Sequence, residues 1–133
     1  MSASKEKSIL IVDDHVGIRS MLEVMFKEEG YITYTASDGS NAIELVQKHY
    51  PDVILMDLRM PGMGGMEALV QVRKISTDSK VVMMTAFGEK EIESYALKKG
   101  AVGFFYKPFD LNDIKDFVEE LYKKDMDECA NLA

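Results

Sequence analysis

The sequence is poor in cysteine, in long apolar runs and in positive charge, and each shortage excludes a class of protein. Its one cysteine, Cys129, cannot form a disulfide within the chain and lies outside any motif. No apolar run is long enough to cross a bilayer, and residues 1–6 form a polar tail without the apolar segment of a signal peptide. We therefore expect a soluble, cytoplasmic protein that does not insert into a membrane.

The charge and the apolar content predict one acidic globular domain. The 133 residues carry a net charge of -7, which argues against nucleic acid as a direct partner because phosphate backbones recruit basic surfaces. A metal ion or a basic protein surface is compatible with this charge. The apolar content of 47% is sufficient for a core. We assign residues 7–124 to the domain and residues 125–133 to a short tail, either disordered or prolonging the last helix.

Two patterns of apolar residues alternate along the chain. Short apolar runs predict strands over residues 8–12, 31–36, 53–57, 81–85 and 103–107. Apolar residues at helical spacing predict the buried faces of the intervening helices, among them Ile18, Met21, Leu22, Met25 and Phe26 on the first and Ile92, Tyr95 and Ala96 on the fourth. Strands that alternate with helices imply an α/β three-layer sandwich, in which helices cover both faces of a parallel five-stranded sheet.

Polar side chains follow four of the five predicted strands. Asp13-Asp14 follow the first strand, Asp57 ends the third, Thr85 ends the fourth and Lys107 ends the fifth. The carboxyl ends of parallel strands meet at one edge of a sheet, which is where ligands bind in such folds. Three close carboxylates resist simultaneous ionisation, and a hard cation with oxygen ligands, such as Mg²⁺, removes that penalty.

This set of groups suits phosphoryl transfer. A carboxylate acceptor, a metal ion, a hydroxyl donor and an ammonium group are the parts that position a phosphoryl group and neutralise its charge. Asp57 is the best candidate nucleophile because it ends the central strand, and aspartyl phosphates are established covalent states. His15 is interpreted as a surface loop residue rather than a ligand.

The motif set resembles that of response-regulator receiver domains, the chemotaxis-regulator-like family, over residues 7–124. The resemblance rests on Asp13-Asp14, Asp57 followed by Met60-Pro61-Gly62, Thr85-Ala86 and Lys107-Pro108. It implies a flavodoxin-like (βα)5 fold with the strand order 2-1-3-4-5. More narrowly, segments 9–14, 17–19, 84–89 and 107–110 resemble the stand-alone receivers of the sporulation phosphorelay.

The resemblance also implies a phosphoacceptor and a metal site. Asp57 would accept a phosphoryl group from a phosphohistidine on a histidine kinase or a histidine phosphotransfer protein. Asp14 and Asp57 would bind Mg²⁺ directly, together with the backbone carbonyl of Arg59, and Asp13 would bind it through water. Such a protein is not an enzyme in the sense of turnover, since it catalyses only its own phosphorylation and slow dephosphorylation.

The remaining implied roles concern signalling. Thr85 would hydrogen-bond the phosphoryl oxygen, and Lys107 would pair with Asp57 or its phosphate, with the Lys107–Pro108 peptide bond cis. Thr85 and Phe104 would form the switch. A downstream protein would bind the face formed by the fourth helix, the fifth strand and the fifth helix, or the first helix.

Some positions depart from the family pattern. Gly64 stands where receivers often carry Asp, so the following helix loses a cap. Phe104 lacks the hydroxyl of a tyrosine at the switch position. Arg59 and Phe87 flank the site, where the size of their side chains can influence how long a phosphate survives.

Three alternatives stay open. The chain could be a receiver module cut from a larger DNA-binding regulator or a hybrid kinase. It could be an aspartate-nucleophile phosphatase, although Arg59 occupies the position at which such enzymes carry a second Asp. It could also be a pseudo-receiver used as a binding scaffold, against which the complete acidic set argues.

Overall fold

Five strands alternate with five helices in the computed structural model, which describes residues 6–86 and 90–132, with side chains described as far as residue 124. The strands are β1 (Ser8–Val12), β2 (Ile32–Ala36), β3 (Val53–Asp57), β4 (Lys80–Thr85) and β5 (Gly103–Tyr106). The helices are α1 (Val16–Glu28), α2 (Gly39–His49), α3 (Gly65–Ile75), α4 (Lys90–Lys98) and α5 (Leu111–Leu132). Within the described ranges, none of these helices combines the length and the apolar character that spanning a membrane requires.

All strand pairs are parallel, and the strand order is β2-β1-β3-β4-β5. This order confirms the predicted flavodoxin-like sandwich. β3 lies at the centre, and all five of its residues are buried, because both faces of the strand are covered by helices. From β1 the chain continues to β2 on one side of the sheet, and from β3 it continues to β4 on the other side. The carboxyl ends of β1 and β3 therefore border the crevice in which ligands bind in such folds.

Alternation along the strands divides the core into two apolar layers. One layer contains Leu10 and Val12 of β1 with buried residues of α2, α3 and α4, and the other contains Ile9 and Ile11 with buried residues of α1 and α5. Each fully buried aliphatic side chain contributes on the order of 2 kcal/mol. The two layers hold β3 rigidly between them and therefore fix the position of its last residue, Asp57.

Local signals set the ends of the helices. Asp38 caps α2, since its Oδ1 accepts a hydrogen bond from the Asn41 N–H at 2.8 Å. Gly64 is the N-cap of α3 and makes no side-chain cap, as its lack of a side chain predicts. Gly30 has φ 91 and follows α1, in the left-handed conformation that glycine adopts at helix ends.

Three sequence-based expectations need correction or refinement. Met21 and Tyr95 were predicted on buried helix faces, but they are 52% and 47% exposed because they lie at the margins of their apolar stripes. His15 is more than a loop residue, because its Nδ1 accepts a hydrogen bond from the Ile18 N–H at 3.3 Å and so caps α1. Helix α5 continues to Leu132, in agreement with the second of the two alternatives given for residues 125–133.

Candidate functional site

The predicted polar residues meet at the carboxyl edge of the sheet. Asp57 and Thr85 are the last residues of β3 and β4, and Asp13 and Lys107 directly follow β1 and β5. Hydrogen bonds between neighbouring backbones continue past the strands, including the bond from the Lys107 N–H to the Thr85 carbonyl at 2.7 Å. The sheet itself therefore positions these side chains.

Three carboxylates form the centre of the site. Oxygen atoms of Asp13, Asp14 and Asp57 all lie within 4.8 Å of one another. Asp13 and Asp57 are buried and Asp14 is exposed, so the cluster opens to solvent on one side. Oxygen-only donors with concentrated negative charge and one open side are the arrangement that Mg²⁺ prefers. Arg59, also predicted at this site through its carbonyl, is an exposed residue of the loop after β3.

Lys107 places one positive charge inside the cluster. Its Nζ lies 2.7 Å from Asp13 Oδ2 and 3.4 Å from Asp57 Oδ1. The predicted pairing with Asp57 is present, but the shorter contact is with Asp13, which the sequence did not indicate. The Lys107–Pro108 peptide bond is cis, as predicted. One ammonium group thus bridges two buried carboxylates that would otherwise repel each other.

The surroundings of the Asp57 carboxyl group disfavour its ionised form. Burial raises the pKa of Asp57 to about 7, and the neighbouring Asp13 carboxylate contributes to this raised pKa, while Lys107 acts in the opposite direction. Lys107 therefore offsets only part of the cost of burying a charge at this position. Additional positive charge is needed to keep Asp57 fully ionised at neutral pH.

Asp13 is oriented by several contacts that the sequence analysis missed. Its Oδ1 accepts a hydrogen bond from the His15 N–H at 2.9 Å, and its backbone carbonyl accepts one from Arg19 Nη1 at 2.6 Å. An Asp that bonds the backbone two residues later is a common turn, so the sequence Asp13-Asp14-His15 carried a signal for the first contact. These bonds hold both the Asp13 backbone and its side chain still.

A close approach of α3 fixes the backbone of Asp57. The Gly65 N–H donates to the Leu58 carbonyl at 2.9 Å, and a Cβ at Gly65 would overlap the Asp57 carbonyl oxygen. At Gly64 the nearest atom to such a Cβ is 3.8 Å away. Gly65 is therefore a positioning residue that the sequence analysis did not single out, although the glycine-rich turn after Pro61 was a signal for it.

The two predicted switch residues differ in their environment. Thr85 is completely buried. Phe104 is partly buried and packs against the apolar layer that contains Leu10 and Val12. The centre of the Phe104 ring lies 5.3 Å from that of Tyr106, which is two residues away on the same face of β5. Phe87, predicted to flank the site, lies outside the described residues.

Comparison with known proteins agrees with this geometry. Residues 9–119 match the response regulator receiver domain family. The chain is 41% identical over 114 residues to the sporulation initiation phosphotransferase F of Bacillus subtilis, covering 86% of this chain and 92% of that protein.

Two solved structures show the same similarity. A CheY-like response regulator receiver domain protein of Methanospirillum hungatei has a TM-score of 0.89 at 26% identity, over 93% of this chain and 99% of the other. A complex of CheX, CheY, BeF3 and Mg²⁺ from Borrelia burgdorferi has a TM-score of 0.82 at 32% identity, over 87% and 89% of the two chains.

Receiver domains bind Mg²⁺ at an acidic pocket and interact with histidine kinases or phosphotransfer proteins and with downstream targets. The match of sequence, fold and acidic pocket is sufficient for identification. This chain belongs to the response regulator receiver domain family and is a signalling module of the two-component type.

Proposed function

We propose that Asp57 accepts a phosphoryl group from a phosphohistidine on a partner protein. The observation that carries this proposal is the cluster of Asp13, Asp14 and Asp57 at the edge of the sheet, in which Lys107 contacts Asp13 and Asp57. Such a cluster is costly for the fold unless its surplus negative charge serves to bind a cation, which together with Lys107 can then neutralise a phosphoryl group.

The transfer replaces one bond to phosphorus with another. A bond forms between an Asp57 carboxylate oxygen and phosphorus, the bond from phosphorus to the histidine nitrogen breaks, and its electron pair stays on the imidazole. Asp57 must be ionised to act as the nucleophile, and Lys107 favours that form. Lys107 and the Thr85 hydroxyl then stabilise the charge on the phosphoryl oxygens.

The acidic cluster fits a divalent cation. The side chains of Asp14 and Asp57, together with the Arg59 backbone carbonyl, would hold Mg²⁺, and Asp13 would assist through water. When bound, Mg²⁺ supplies positive charge that offsets the carboxylates and the incoming phosphoryl oxygens. The similar structure from Borrelia burgdorferi, a complex of CheX and CheY with BeF3 and Mg²⁺, supports the proposal of a Mg²⁺ site in this chain.

The exposed face of α1 is suited to bind the phosphodonor protein. Val16, Met21 and Val24 are 63%, 52% and 55% exposed, and Val16 lies two residues after the Asp14 carboxylate. An apolar surface that borders the acceptor can hold a partner whose phosphohistidine reaches Asp57. A contact on this face would help to position the phosphohistidine near Asp57, and such positioning favours transfer between two proteins.

The downstream target would bind the face formed by α4, β5 and α5. Tyr95, Leu97, Val102 and Tyr106 are exposed on or near α4 and β5. Movement of Thr85 toward the phosphoryl group and of Phe104 toward the interior would change this face. The added charge on Asp57 would thus shift the face between two conformations. The protein would act in the cytoplasm, relaying the phosphoryl group or signalling it, and would lose the group slowly by self-dephosphorylation.

Intact-mass measurement after incubation with acetyl phosphate and Mg²⁺ tests the acceptor. We expect the wild-type protein to gain the mass of one phosphoryl group, and the gain to be lost without Mg²⁺ or in Asp57→Asn. Asp38→Asn is the matched control, because Asn caps a helix as well as Asp does and α2 should remain intact. An unmodified wild type, or an adduct that persists in Asp57→Asn, would overturn the proposal.

A further inference from the structure

Tyr106 joins β5 to α4 through a hydrogen bond at the surface. Its hydroxyl donates to Glu93 Oε1 at 2.9 Å, and Glu93 lies in the first turn of α4. Tyr106 is 42% exposed, so water can solvate both groups when the bond opens. Opening leaves no buried polar group without a partner, and the contact is therefore suited to reversible release.

Tyr106 is also connected to the carboxyl edge of the sheet. It is the register partner of Thr85 in the β4–β5 pair, and it directly precedes Lys107. Its ring packs against that of Phe104 on the same face of β5, with centroids 5.3 Å apart. A displacement of Thr85, Lys107 or Phe104 consequently reaches Tyr106 through a neighbouring contact.

Phe104 alone cannot make a polar contact with α4, because phenylalanine has no hydroxyl. We propose that Tyr106 supplies that contact. Its bond to Glu93 holds the first turn of α4 against β5 in the unphosphorylated protein and is released when Asp57 carries a phosphoryl group. This inference rests on the proposed function of Asp57. In it, the bond from Tyr106 to Glu93 opposes the conformational change of the face formed by α4, β5 and α5.

A contact present in only one of two states favours that state. Removing the Tyr106 hydroxyl should therefore shift the protein toward its phosphorylated conformation and tighten the binding of a phosphoryl mimic. For one exposed hydrogen bond we expect a gain in affinity of about threefold. A merely structural role would weaken the binding of the mimic or leave it unchanged.

The test uses beryllofluoride with Mg²⁺ as the probe and calorimetry as the measurement. We expect Tyr106→Phe to bind the probe about threefold more tightly than the wild type. Glu93→Ala should have the same effect, and the double variant should gain no more than either single variant. Tyr50→Phe, which alters a 59% exposed tyrosine on the α2–β3 connection, serves as the control and should bind as the wild type does.

Amide hydrogen exchange in the protein without the probe gives a second readout. The amides of Lys90–Lys98 should exchange faster in Tyr106→Phe than in Tyr50→Phe. Unchanged or weaker binding of the probe by Tyr106→Phe would overturn the inference, while the proposed function would stand if the wild type binds the probe. A wild type that does not bind beryllofluoride would overturn both.

Discussion

Both edges of the sheet place an aspartate among polar partners, but among the described residues a cluster of three carboxylates forms at the carboxyl edge alone. At the amino edge, Asp52 Oδ2 accepts hydrogen bonds from the Ser8 N–H at 3.1 Å and from the Tyr122 hydroxyl at 3.2 Å. The Asp52 N–H donates in return to Ser8 Oγ at 3.1 Å. These hydrogen bonds tie β1, the α2–β3 connection and α5 together.

At the carboxyl edge, three carboxylates lie close together, and one ammonium group contacts two of them. Asp13 and Asp57 are buried beside Lys107, and burial raises the pKa of Asp57 to about 7. The contrast teaches that an aspartate held by hydrogen bonds across the fold has a structural role, whereas clustered charge at a sheet edge is suited to ligand binding. Four changes test this contrast, and their expected effects decrease from the first to the last.

Removing the ammonium group should impair the carboxyl edge most. In Lys107→Met we expect the rate of phosphoryl adduct formation to fall by about 100-fold, because a preorganised charge near the phosphoryl oxygens is lost. Affinity for Mg²⁺ should rise at the same time, since the carboxylates lose their internal cation. Time-resolved intact mass and a Mg²⁺ titration give the two values, and Lys98→Met is the control on α4. A slower reaction with weaker Mg²⁺ binding would contradict the role of Lys107 as the internal cation of the site.

A methyl group at Gly65 should disturb the backbone of Asp57. We expect Gly65→Ala to lower the free energy of unfolding by about 2.5 kcal/mol, because the Cβ would overlap the Asp57 carbonyl oxygen. Gly64→Ala is the matched control, since its Cβ has ordinary space, and should change stability by less than about 1 kcal/mol. Urea denaturation compares the two variants. Equal stability of both would contradict the close approach of α3.

The charge on Asp57 should make stability depend on pH when Mg²⁺ is absent. The folded protein holds the Asp57 proton more tightly than the unfolded chain does, because the pKa is raised from 3.8 to about 7. Stability contributed by this group is therefore fully present below the unfolded pKa of 3.8 and is lost as the pH rises through about 7.

Asp57→Asn removes this dependence. One unit of pKa corresponds to about 1.4 kcal/mol, and Asn gives up part of the contact with Lys107. We thus expect the variant to be more stable than the wild type by about 2 kcal/mol at pH 8, and by much less at pH 5. Urea denaturation at the two pH values measures the difference. A variant that is less stable than the wild type at pH 8 would show that Asp57 is stabilised by its surroundings.

Substitutions at the amino edge should change the stability of the protein and leave phosphoryl adduct formation unchanged. Tyr122→Phe removes the hydroxyl that donates to the Ser8 carbonyl and to Asp52, and we expect it to cost about 1 kcal/mol. Tyr31→Phe is the matched control, because the Tyr31 hydroxyl is buried without a hydrogen-bond partner and burial raises its pKa to about 12. That variant should be as stable as the wild type or slightly more so. Neither should change phosphoryl adduct formation, and a tenfold effect would contradict the division between the two edges.

The sequence predicted the parts of the molecule that depend on local pattern. Continuous apolar runs identify buried strands, and the polar residues at their ends must share an edge in any parallel sheet, so Asp13, Asp57, Thr85 and Lys107 could be brought together in advance. Helix faces were predicted less accurately, since Met21 lies at the margin of its stripe and spacing alone does not define where burial ends.

Contacts between distant segments could not be predicted in this way. The shorter bond of Lys107 to Asp13, the network that joins Ser8, Asp52 and Tyr122, and the bond from Tyr106 to Glu93 all depend on side-chain positions set by packing. Periodicity determines which face a residue occupies and leaves open which of several acceptors a long side chain reaches. The roles of Asp57, Thr85, Lys107 and Phe104 in phosphoryl transfer and switching stay predictions.

Mapping the phosphorylated residue tests the central claim most directly. The protein is treated with acetyl phosphate and Mg²⁺, the acyl phosphate is reduced with borohydride to homoserine, and peptides are sequenced by mass spectrometry. We predict homoserine at Asp57, the carboxylate at the end of the central strand. Homoserine at Asp52, Asp13 or Asp14 in place of Asp57 would contradict the account, and modification of Asp52 would remove the distinction between the two edges of the sheet.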